Sequence, residues 1–105
     1  MDLVILSQCK RELDDFPLGV REELLDALAC LREGIELRMP LSRKMKGMGE
    51  GVFELRFRDP SGIYRVIYLV RRSDAIYLIH GFKKTSQRTS RKDIEVSLGR
   101  IKRFL

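Results

Sequence analysis

Four side chains suited to binding and cleaving a phosphodiester lie in the second half of the chain: Arg56, Arg65, His80 and Lys84. The guanidinium of arginine is a planar fork of N–H donors that matches two oxygens of a phosphate. His80 is the only histidine, and imidazole is the side chain that ordinarily titrates near neutral pH. A lysine beside other cations has a lowered pKa, which suits Lys84 to proton transfer. These groups can act together only if the fold brings them to one place.

The stretch 52–84, VFELRFRDPSGIYRVIYLVRRSDAIYLIHGFKK, predicts three consecutive antiparallel strands. The DPSG segment at 59–62 and the SD pair at 73–74 predict the two tight turns between them. Counting from the first turn places Arg56 opposite Arg65. Counting from the second turn, with Arg72 opposite Ala75, gives three facing pairs: Arg65 with Phe82, Ile67 with His80, and Ile63 with Lys84.

Side chains alternate between the two faces of a sheet, so this register sorts the stretch into two surfaces. One face is predicted to be core, formed by Phe53, Leu55, Phe57, Tyr64, Val66, Tyr68, Val70, Tyr77 and Ile79. The other face is predicted to be apolar at one end, with Val52, Leu69, Ile76 and Leu78, and basic at the other, with Arg56, Arg58, Arg65, His80 and Lys84.

The facing pair of Arg56 and Arg65 is a first indication of function. Two like charges directly opposite each other repel, so stability alone does not favour this pairing. An anion bound between the two guanidinium groups removes the repulsion, which predicts an anion site. The alternative is that both arginines reach solvent or pair with Glu54 and Asp59.

Charge is distributed unevenly along the chain. Residues 1–40 carry five Lys/Arg and nine Asp/Glu, whereas residues 41–105 carry sixteen and six, and the whole chain has a net charge of +6. A strongly basic half predicts a polyanionic partner, of which nucleic acid is the obvious one. The alternative is a merely soluble basic protein.

Length and composition limit the class of protein. A chain of 105 residues is expected to form one domain over 1–105. No apolar run approaches the roughly 18 residues of a membrane span, and the first residues lack a basic leader and a cleavage site. We therefore expect a cytoplasmic protein without membrane contact. Cys9 and Cys30 lack metal-ligand spacing and are expected to be reduced, buried thiols.

The segments around the three strands predict helices. Residues 3–6 predict a brief strand, and Ser7 is a candidate cap for a first helix. A second helix is predicted from Pro17 to about Glu33, stopped by Gly34. Its apolar side is formed by Val20, Leu24, Leu25, Leu28 and Leu31. The connector at 35–51, rich in glycine, predicts a pliable loop.

A last helix follows the sheet. Ser90 and Asp93 approximate a capping box, and Ile94, Leu98, Ile101 and Leu105 mark an apolar face. The predicted fold class is α+β: an N-terminal helical hairpin packed on a mainly antiparallel three- to four-stranded sheet, with a C-terminal helix on the apolar end of the second sheet face.

Three segments carry a family pattern: KMKGMGEGVFELRF, YRVIYLV and IYLIHGFKKTSQRTSRKDIEVSLGR. A glycine-rich lead into an E-L-R strand, a Y-R-x-x-Y strand and an L-x-x-F-x-K-K-T strand end resemble the RelE/ParE superfamily of bacterial toxins, in particular its HigB-like, phage-derived branch. The chain departs from the pattern in its short first strand, in Phe53 where tryptophan is common, and in Val96 and Ser97 where an alanine is common.

The resemblance implies a RelE-like domain and the toxin of a type II toxin–antitoxin system, an mRNA interferase that cuts message on the translating ribosome. RNA is cut without metal when its own 2′-hydroxyl attacks the adjacent phosphate, and catalysis then requires proton transfer and charge stabilisation. Because no Asp/Glu/His cluster has metal-ligand spacing, neither a metal nor another cofactor is expected. We assign charge stabilisation to Arg56 and Arg65, and proton transfer to His80 and Lys84.

Five further side chains are predicted RNA contacts: Lys44, Lys46, Arg58, Phe82 and Lys83. Lys44 and Lys46 are expected to hold the RNA backbone, and Phe82 to stack on a base. The alternatives are that Phe82 is core filler and that His80 is a half-buried strand residue bonded to a backbone carbonyl. Tyr68 is left out of the set because the register turns it toward the core.

Two other functions are also compatible with the sequence. One is inhibition of DNA gyrase, as in the ParE-like members of the superfamily, and the other is nucleic-acid binding without catalysis. The resemblance implies mRNA and the ribosome as partners, together with a HigA-like antitoxin that carries a helix-turn-helix domain. Operator DNA is expected to be contacted only through that antitoxin.

Overall fold

The computed structural model describes residues 1–71, 75–84 and 88–105. Within these ranges the chain forms, in order, β1 (Asp2–Ile5), α1 (Ser7–Asp14), α2 (Leu18–Arg32), β2 (Ser42–Lys44), β3 (Val52–Asp59), β4 (Gly62–Val70), β5 (Ala75–Lys84) and α3 (Arg91–Phe104). The strands form one sheet in the order β1-β5-β4-β3-β2, in which β1 and β5 are parallel and the other neighbours antiparallel. The predicted α+β class is therefore confirmed, with five strands in place of three or four.

The two additional strands lie at the two edges of the sheet. The brief first strand was expected, and it pairs with β5 from Asp2 opposite Ala75 to Ile5 opposite Leu78. β2 was not expected, because the connector was predicted to be a loop. It spans three residues and places Ser42 opposite Leu55. A strand of this length gives no readable alternation, so the sequence pattern did not reveal it.

The helices begin and end for local reasons. Ser7 was expected to cap α1, but Leu6 is the capping residue, and Ser7 is the first helical residue. α2 ends at Arg32 with Glu33 as its C-cap, and Gly34 stops it as expected with a φ of 84°, in the left-handed region. The Ile35 N–H donates to the Cys30 carbonyl and the Gly34 N–H to the Leu31 carbonyl, which is the Schellman pattern that satisfies free carbonyls.

The sheet separates two apolar clusters. α1 and α2 cover one face and pack on β3, β4 and β5, whereas α3 packs on the other face with Ile94, Ile101 and Leu105. Two residues predicted in apolar stripes lie outside these clusters, since Leu25 is 65% exposed and Leu98 is 37% exposed. Among the described residues, no helix is long and apolar enough to cross a membrane.

The predicted strand register is confirmed where the basic residues lie. Arg56 is opposite Arg65, and Arg65 is opposite Phe82. Ile67 with His80 and Ile63 with Lys84 also pair as expected. The second turn itself falls at 72–74, outside the described residues.

Closer to that turn the prediction is wrong by one residue. The register shifts between Ile67 and Tyr68, so that Tyr68 pairs with Leu78. As a result Ile76 and Leu78 belong to the cluster under α1 and α2, and Ile79 and Tyr77 to the cluster under α3, the reverse of the assigned faces. A β-bulge inserts one residue into a strand, and hydrophobic residues on both sides of the insertion hide it from pattern reasoning.

The two cysteines are free thiols. Cys9 is buried as expected, whereas Cys30 is only half-buried. Burial raises the pKa of Cys9 from 9.0 to about 12, so its thiol is inert at neutral pH.

Candidate functional site

The facing arginines of β3 and β4 are held differently. Arg65 is 5% exposed, and its Nη1 donates to the backbone oxygens of Tyr64 at 3.2 Å and Phe57 at 3.5 Å. Arg56 is half-buried, and its Nη1 donates to the sulfur of Met39 at 3.4 Å. Arg65 is thus fixed against its own sheet, and Arg56 is directed toward the edge of the sheet.

A carboxylate lies beside Arg65 on the same face. Glu54 is completely buried, and its Oε1 lies 3.4 Å from Arg65 Nε and 3.6 Å from Arg43 Nη2. Its Oε2 accepts a hydrogen bond of 2.6 Å from the Thr89 hydroxyl. One negative charge therefore lies within a group of cations.

Arg43 is a cation of this group that the sequence prediction did not select. Because β2 is a strand, its side chains alternate, and Arg43 pairs with Glu54 whereas Lys44 pairs with Phe53. Lys44, which was predicted to bind RNA, is thereby turned to the face that α1 and α2 cover. The signal that identifies Arg43 is the strand itself, which the sequence did not show.

The cations of this face affect one another's protonation. Burial lowers the pKa of Arg65; Glu54 opposes this shift, and the nearby charges of Arg56, Arg43 and Arg58 lower the pKa further. Burial also lowers the pKa of Lys84, and the charge of Arg65 adds to that effect. Arg43, Arg56, Arg58, Arg65 and Lys84, grouped around Glu54, are called the basic cluster below.

Arg56 and Arg58 also line a cavity of about 490 Å³ at the edge of the sheet. Its other lining residues include Glu23 and Asp26 of α2. β2 begins only at Ser42, and on this edge of β3 the Arg56 N–H still donates to the Leu41 carbonyl at 2.8 Å. The basic cluster therefore continues from the face of the sheet to an open groove.

His80 lies in a different setting from the one expected. It is 6% exposed. Its Nδ1 lies 3.0 Å from both carboxylate oxygens of Glu12, and its Nε2 lies 2.8 Å from Asp93 Oδ1. Arg100 Nη1 and Nη2 donate to the same Glu12 carboxylate at 2.8 and 2.9 Å. Both ring nitrogens are therefore engaged by carboxylates, and within the described part of the chain neither is bonded to a backbone carbonyl, which the alternative interpretation had predicted.

Glu12 and Arg100 close the edge of β5 beyond the end of β1. Glu12 Oε1 accepts the Gly81 N–H at 3.1 Å, and Arg100 Nη1 donates to the Ile79 carbonyl at 3.0 Å. Burial by itself would raise the pKa of Glu12, but hydrogen bonds from His80 and Arg100 lower it to about 2. No short sequence pattern identifies this group, because its members come from α1, β5 and α3.

Three other predicted contacts are placed less favourably for RNA: Phe82 is buried beside Arg65, and Lys83 and Lys46 lie away from the basic cluster. Phe82 is 8% exposed and stacks on His80 with ring centroids 4.9 Å apart, so the core-filler alternative describes it. Lys83 lies over the ring of Tyr64, on the face opposite Lys84. Lys46 is exposed in the loop after β2.

Tyr68 is turned away from the basic cluster, as its register predicted. It is 2% exposed, and its hydroxyl lies 2.6 Å from that of Ser42 in the cluster under α1 and α2. Among residues 1–71, 75–84 and 88–105, no group of three or more His, Cys, Asp or Glu side chains is arranged to hold a metal ion.

The protein is thus a mixed sheet between two helical layers, with a cationic cluster at one end of one sheet face. Its sequence matches the family described as phage-derived protein Gp49-like over residues 11–102. The chain therefore belongs to this family. A search of curated proteins finds no significant match.

Several solved structures similar to this chain are RelE proteins. A double arginine-to-alanine variant of Escherichia coli toxin RelE in the free state matches with a TM-score of 0.69 and 22% identity, over 99% of this chain and 97% of that chain. The RelB–RelE antitoxin–toxin complex of Methanococcus jannaschii matches with a TM-score of 0.55 and 18% identity, over 76% and 88%. The RelBE2 toxin–antitoxin complex of Mycobacterium tuberculosis matches with a TM-score of 0.54 and 14% identity, over 79% and 96%.

Proposed function

We propose that this protein is the HigB-like toxin of a type II toxin–antitoxin pair and an endoribonuclease that cleaves mRNA on the translating ribosome. The observation that carries the proposal is the basic cluster, in which Arg56, Arg65 and Lys84 share one end of one sheet face. Like charges collected in this way destabilise a fold unless an anion neutralises them. Glu54 supplies one negative charge to the five cations of the cluster, and the RNA backbone supplies the remaining negative charge.

The chemistry we propose needs only the RNA and the side chains of the cluster. The 2′-oxygen attacks the adjacent phosphorus, the bond from phosphorus to the 5′-oxygen breaks, and the products are a 2′,3′-cyclic phosphate and a 5′-hydroxyl. The proton of the 2′-hydroxyl leaves to water, and Lys84 supplies a proton to the departing 5′-oxygen. The lowered pKa of Lys84 makes it a better acid than an ordinary lysine.

The arginines stabilise the charge that develops on the phosphorane. Arg65 is preorganised, since its guanidinium is buried and bonded to the sheet. Preorganised donors stabilise a transition state without the cost of reorientation. Arg56, which is less buried, and Arg58, which is exposed, are suited to binding the RNA backbone next to the phosphate that is cleaved.

His80 was expected to act as a general acid or base, and we instead assign it the structural role of linking β5 to α1 and α3. Its two nitrogens are occupied by Glu12 and Asp93, so neither faces a substrate. A route without a metal stays part of the proposal.

An antitoxin partner is proposed on the same basis. Two of the similar structures are complexes of a RelE protein with its RelB antitoxin. We propose a HigA-like partner with a helix-turn-helix domain, which would also make the contacts with operator DNA.

Expression of the protein in a bacterium, followed by mapping of mRNA ends, tests the proposal. We expect growth arrest and new 5′-ends within translated messages. Arg65→Ala and Arg56→Ala should each lower the cleavage rate by about 10²–10³, the usual effect of removing one preorganised donor. Arg71→Ala is the matched control, because Arg71 is exposed at the other end of β4 and bonds the Leu105 carbonyl.

Three results would contradict the proposal. If both cluster variants cleave as fast as the wild-type protein, the basic cluster is not the catalytic centre. If messages stay intact while DNA supercoiling by gyrase falls, the protein is a gyrase inhibitor. If it binds RNA with strong salt dependence and never cleaves it, the protein is a binding module.

A further inference from the structure

Glu54 is the carboxylate around which the basic cluster is grouped. It is completely buried on β3, opposite Ile67, which is also completely buried. Removing a carboxylate from water costs several kcal/mol, and well-packed apolar residues in place of a buried ion pair are often as stable or more so. An apolar residue would therefore suit the fold at this position, so the carboxylate calls for another explanation.

The contacts of Glu54 relate it to Arg65. Glu54 Oε1 lies 3.4 Å from Arg65 Nε, yet within the described part of the chain neither atom has a hydrogen-bond partner. The attraction between the charges therefore directs the Nε edge of the guanidinium, while Nη1 is bonded to the Tyr64 carbonyl. Two separate contacts fix the orientation of a planar group, and Glu54 supplies one of them.

Thr89 in turn holds the carboxylate of Glu54 in place. Its hydroxyl donates to Glu54 Oε2 at 2.6 Å, the length of a strong hydrogen bond to a charged acceptor. Thr89 directly precedes Ser90, whose hydroxyl accepts the Asp93 N–H at the start of α3. Asp93 is bonded to His80. A continuous set of polar contacts thus connects Arg65 with the start of α3.

We propose that Glu54 is a positioning residue that orients the Arg65 guanidinium for the transition state, and that Thr89 holds Glu54 in place. This inference rests on the proposed function, since it assigns a task to Arg65. Glu54 also repels RNA phosphates, so it weakens binding of the ground state while it improves the geometry of the reaction. Binding energy that appears only in the transition state raises turnover.

The charge of Glu54 gives the inference a specific test. Glu54→Gln keeps the shape and removes the negative charge, so we expect tighter binding and slower cleavage together. Binding is measured with programmed ribosomes whose mRNA carries a 2′-deoxynucleotide at the cleavage position, and cleavage with the normal mRNA at saturating protein. We expect binding about fivefold tighter, from the lost repulsion, and a saturated rate about tenfold to a hundredfold lower, from the misplaced guanidinium.

Two variants of Thr89 keep the test decisive if Glu54→Gln fails to fold. Thr89→Val keeps the shape without the hydroxyl and should lower the saturated cleavage rate several-fold, whereas Thr89→Ser keeps the hydroxyl and should restore it. Leu28→Val, in the cluster under α1 and α2, is the stability control. It should lower the free energy of unfolding and leave both binding and the saturated rate unchanged.

The outcomes separate this inference from the proposed function. If Glu54→Gln binds and cleaves as the wild-type protein does, or if Thr89→Val cleaves as fast as Thr89→Ser, the positioning role is wrong and the proposed function stands. If a variant lowers the amount of folded protein without a change in binding or rate per folded molecule, the role of Glu54 is structural. A wild-type protein that does not cleave mRNA overturns the proposed function and this inference with it.

Discussion

His80 Nε2 lies 2.8 Å from Asp93 Oδ1, so a side chain of β5 is bonded to the first turn of α3. The same ring reaches Glu12 of α1 through Nδ1. The imidazole of His80 therefore links β5 to both α1 and α3. The strand register places His80 one cross-strand pair away from Arg65. Its hydrogen-bond partners, however, give it the role of holding α3 in place.

The first prediction concerns His80. His80→Ala should lower the free energy of unfolding by about 1–3 kcal/mol, because it removes the hydrogen-bond partner of two half-buried carboxylates, Glu12 and Asp93. The pH dependence of the cleavage rate should keep the shape it has in the wild-type protein. Urea unfolding and a pH–rate profile measure the two effects. A variant of normal stability that loses one limb of the profile would restore His80 as a general acid or base.

The second prediction concerns Glu12 and acid. Its pKa falls from 4.5 to about 2 on folding, so the folded state favours the charged form. The resulting stabilisation is complete above pH 4.5 and is lost as the pH falls from 4.5 toward 2. Its upper limit is about 3 kcal/mol. We expect the stability difference between wild type and Glu12→Gln, measured by urea unfolding, to shrink over that interval.

A surface carboxylate provides the control for Glu12. Asp14 also belongs to α1 and pairs with Lys10, but its side chain is 56% exposed, and exposed pairs contribute little. Asp14→Asn should follow the wild-type protein at every pH. If the stability difference between wild type and Glu12→Gln stays constant from pH 7 to pH 2, His80 and Arg100 do not stabilise the charged form of Glu12.

The third prediction compares two adjacent lysines. Lys84 lies on the face of the basic cluster, and Lys83 lies over Tyr64 on the other face. Lys84→Ala should lower the cleavage rate by about 10² or more, as expected for loss of a proton donor. Lys83→Ala removes the same charge and should cleave at close to the wild-type rate. Equal losses in the two variants would mean that net charge, and not position, governs the rate.

The neighbours of Lys84 provide a further check on its role. The charge of Arg43 is one of the causes that lower the pKa of Lys84. Arg43→Ala removes this cause, so the alkaline limb of the pH–rate profile should move to higher pH. If the alkaline limb does not move, or moves to lower pH, it does not report the ionisation of Lys84.

The sequence predicted the centre of the sheet better than its edges, for a physical reason. β3 and β4 are joined by a four-residue turn and have eight and nine residues, so their alternation fixes the register without ambiguity. That register predicted the facing of Arg56 and Arg65. β2 is a three-residue strand, and it acquires its structure only by pairing with β3, so Arg43 could not be assigned to a face.

The same reasoning explains the misplaced residues of β5 and the altered interpretation of His80. A run of apolar residues from Ala75 to Ile79 fits either face, so the bulge left no trace in the pattern. The pattern placed His80 on the correct strand and opposite the correct residue, Ile67. Its partners Glu12 and Asp93 lie 68 and 13 positions away, and only the tertiary packing of two helices brings them to the ring.

The last prediction concerns the close approach of α1 to β5 at Gly81. A Cβ atom at this position would lie 2.7 Å from Leu13 Cδ2 and 3.3 Å from Phe16 Cζ. Gly81→Ala should therefore lower the free energy of unfolding by about 1–3 kcal/mol through overpacking, although alanine is intrinsically more favourable than glycine within a strand. Because the clash is with the side chain of Leu13, the variants Gly81→Ala and Leu13→Ala should be less destabilising together than the sum of their separate effects. Urea unfolding of the two single variants and the double variant measures this coupling.

Strictly additive effects would mean that α1 moves away from β5 to admit the methyl group. In that case the hydrogen bond between Glu12 and the Gly81 N–H should also lengthen. The Gly81 amide should then exchange its hydrogen faster.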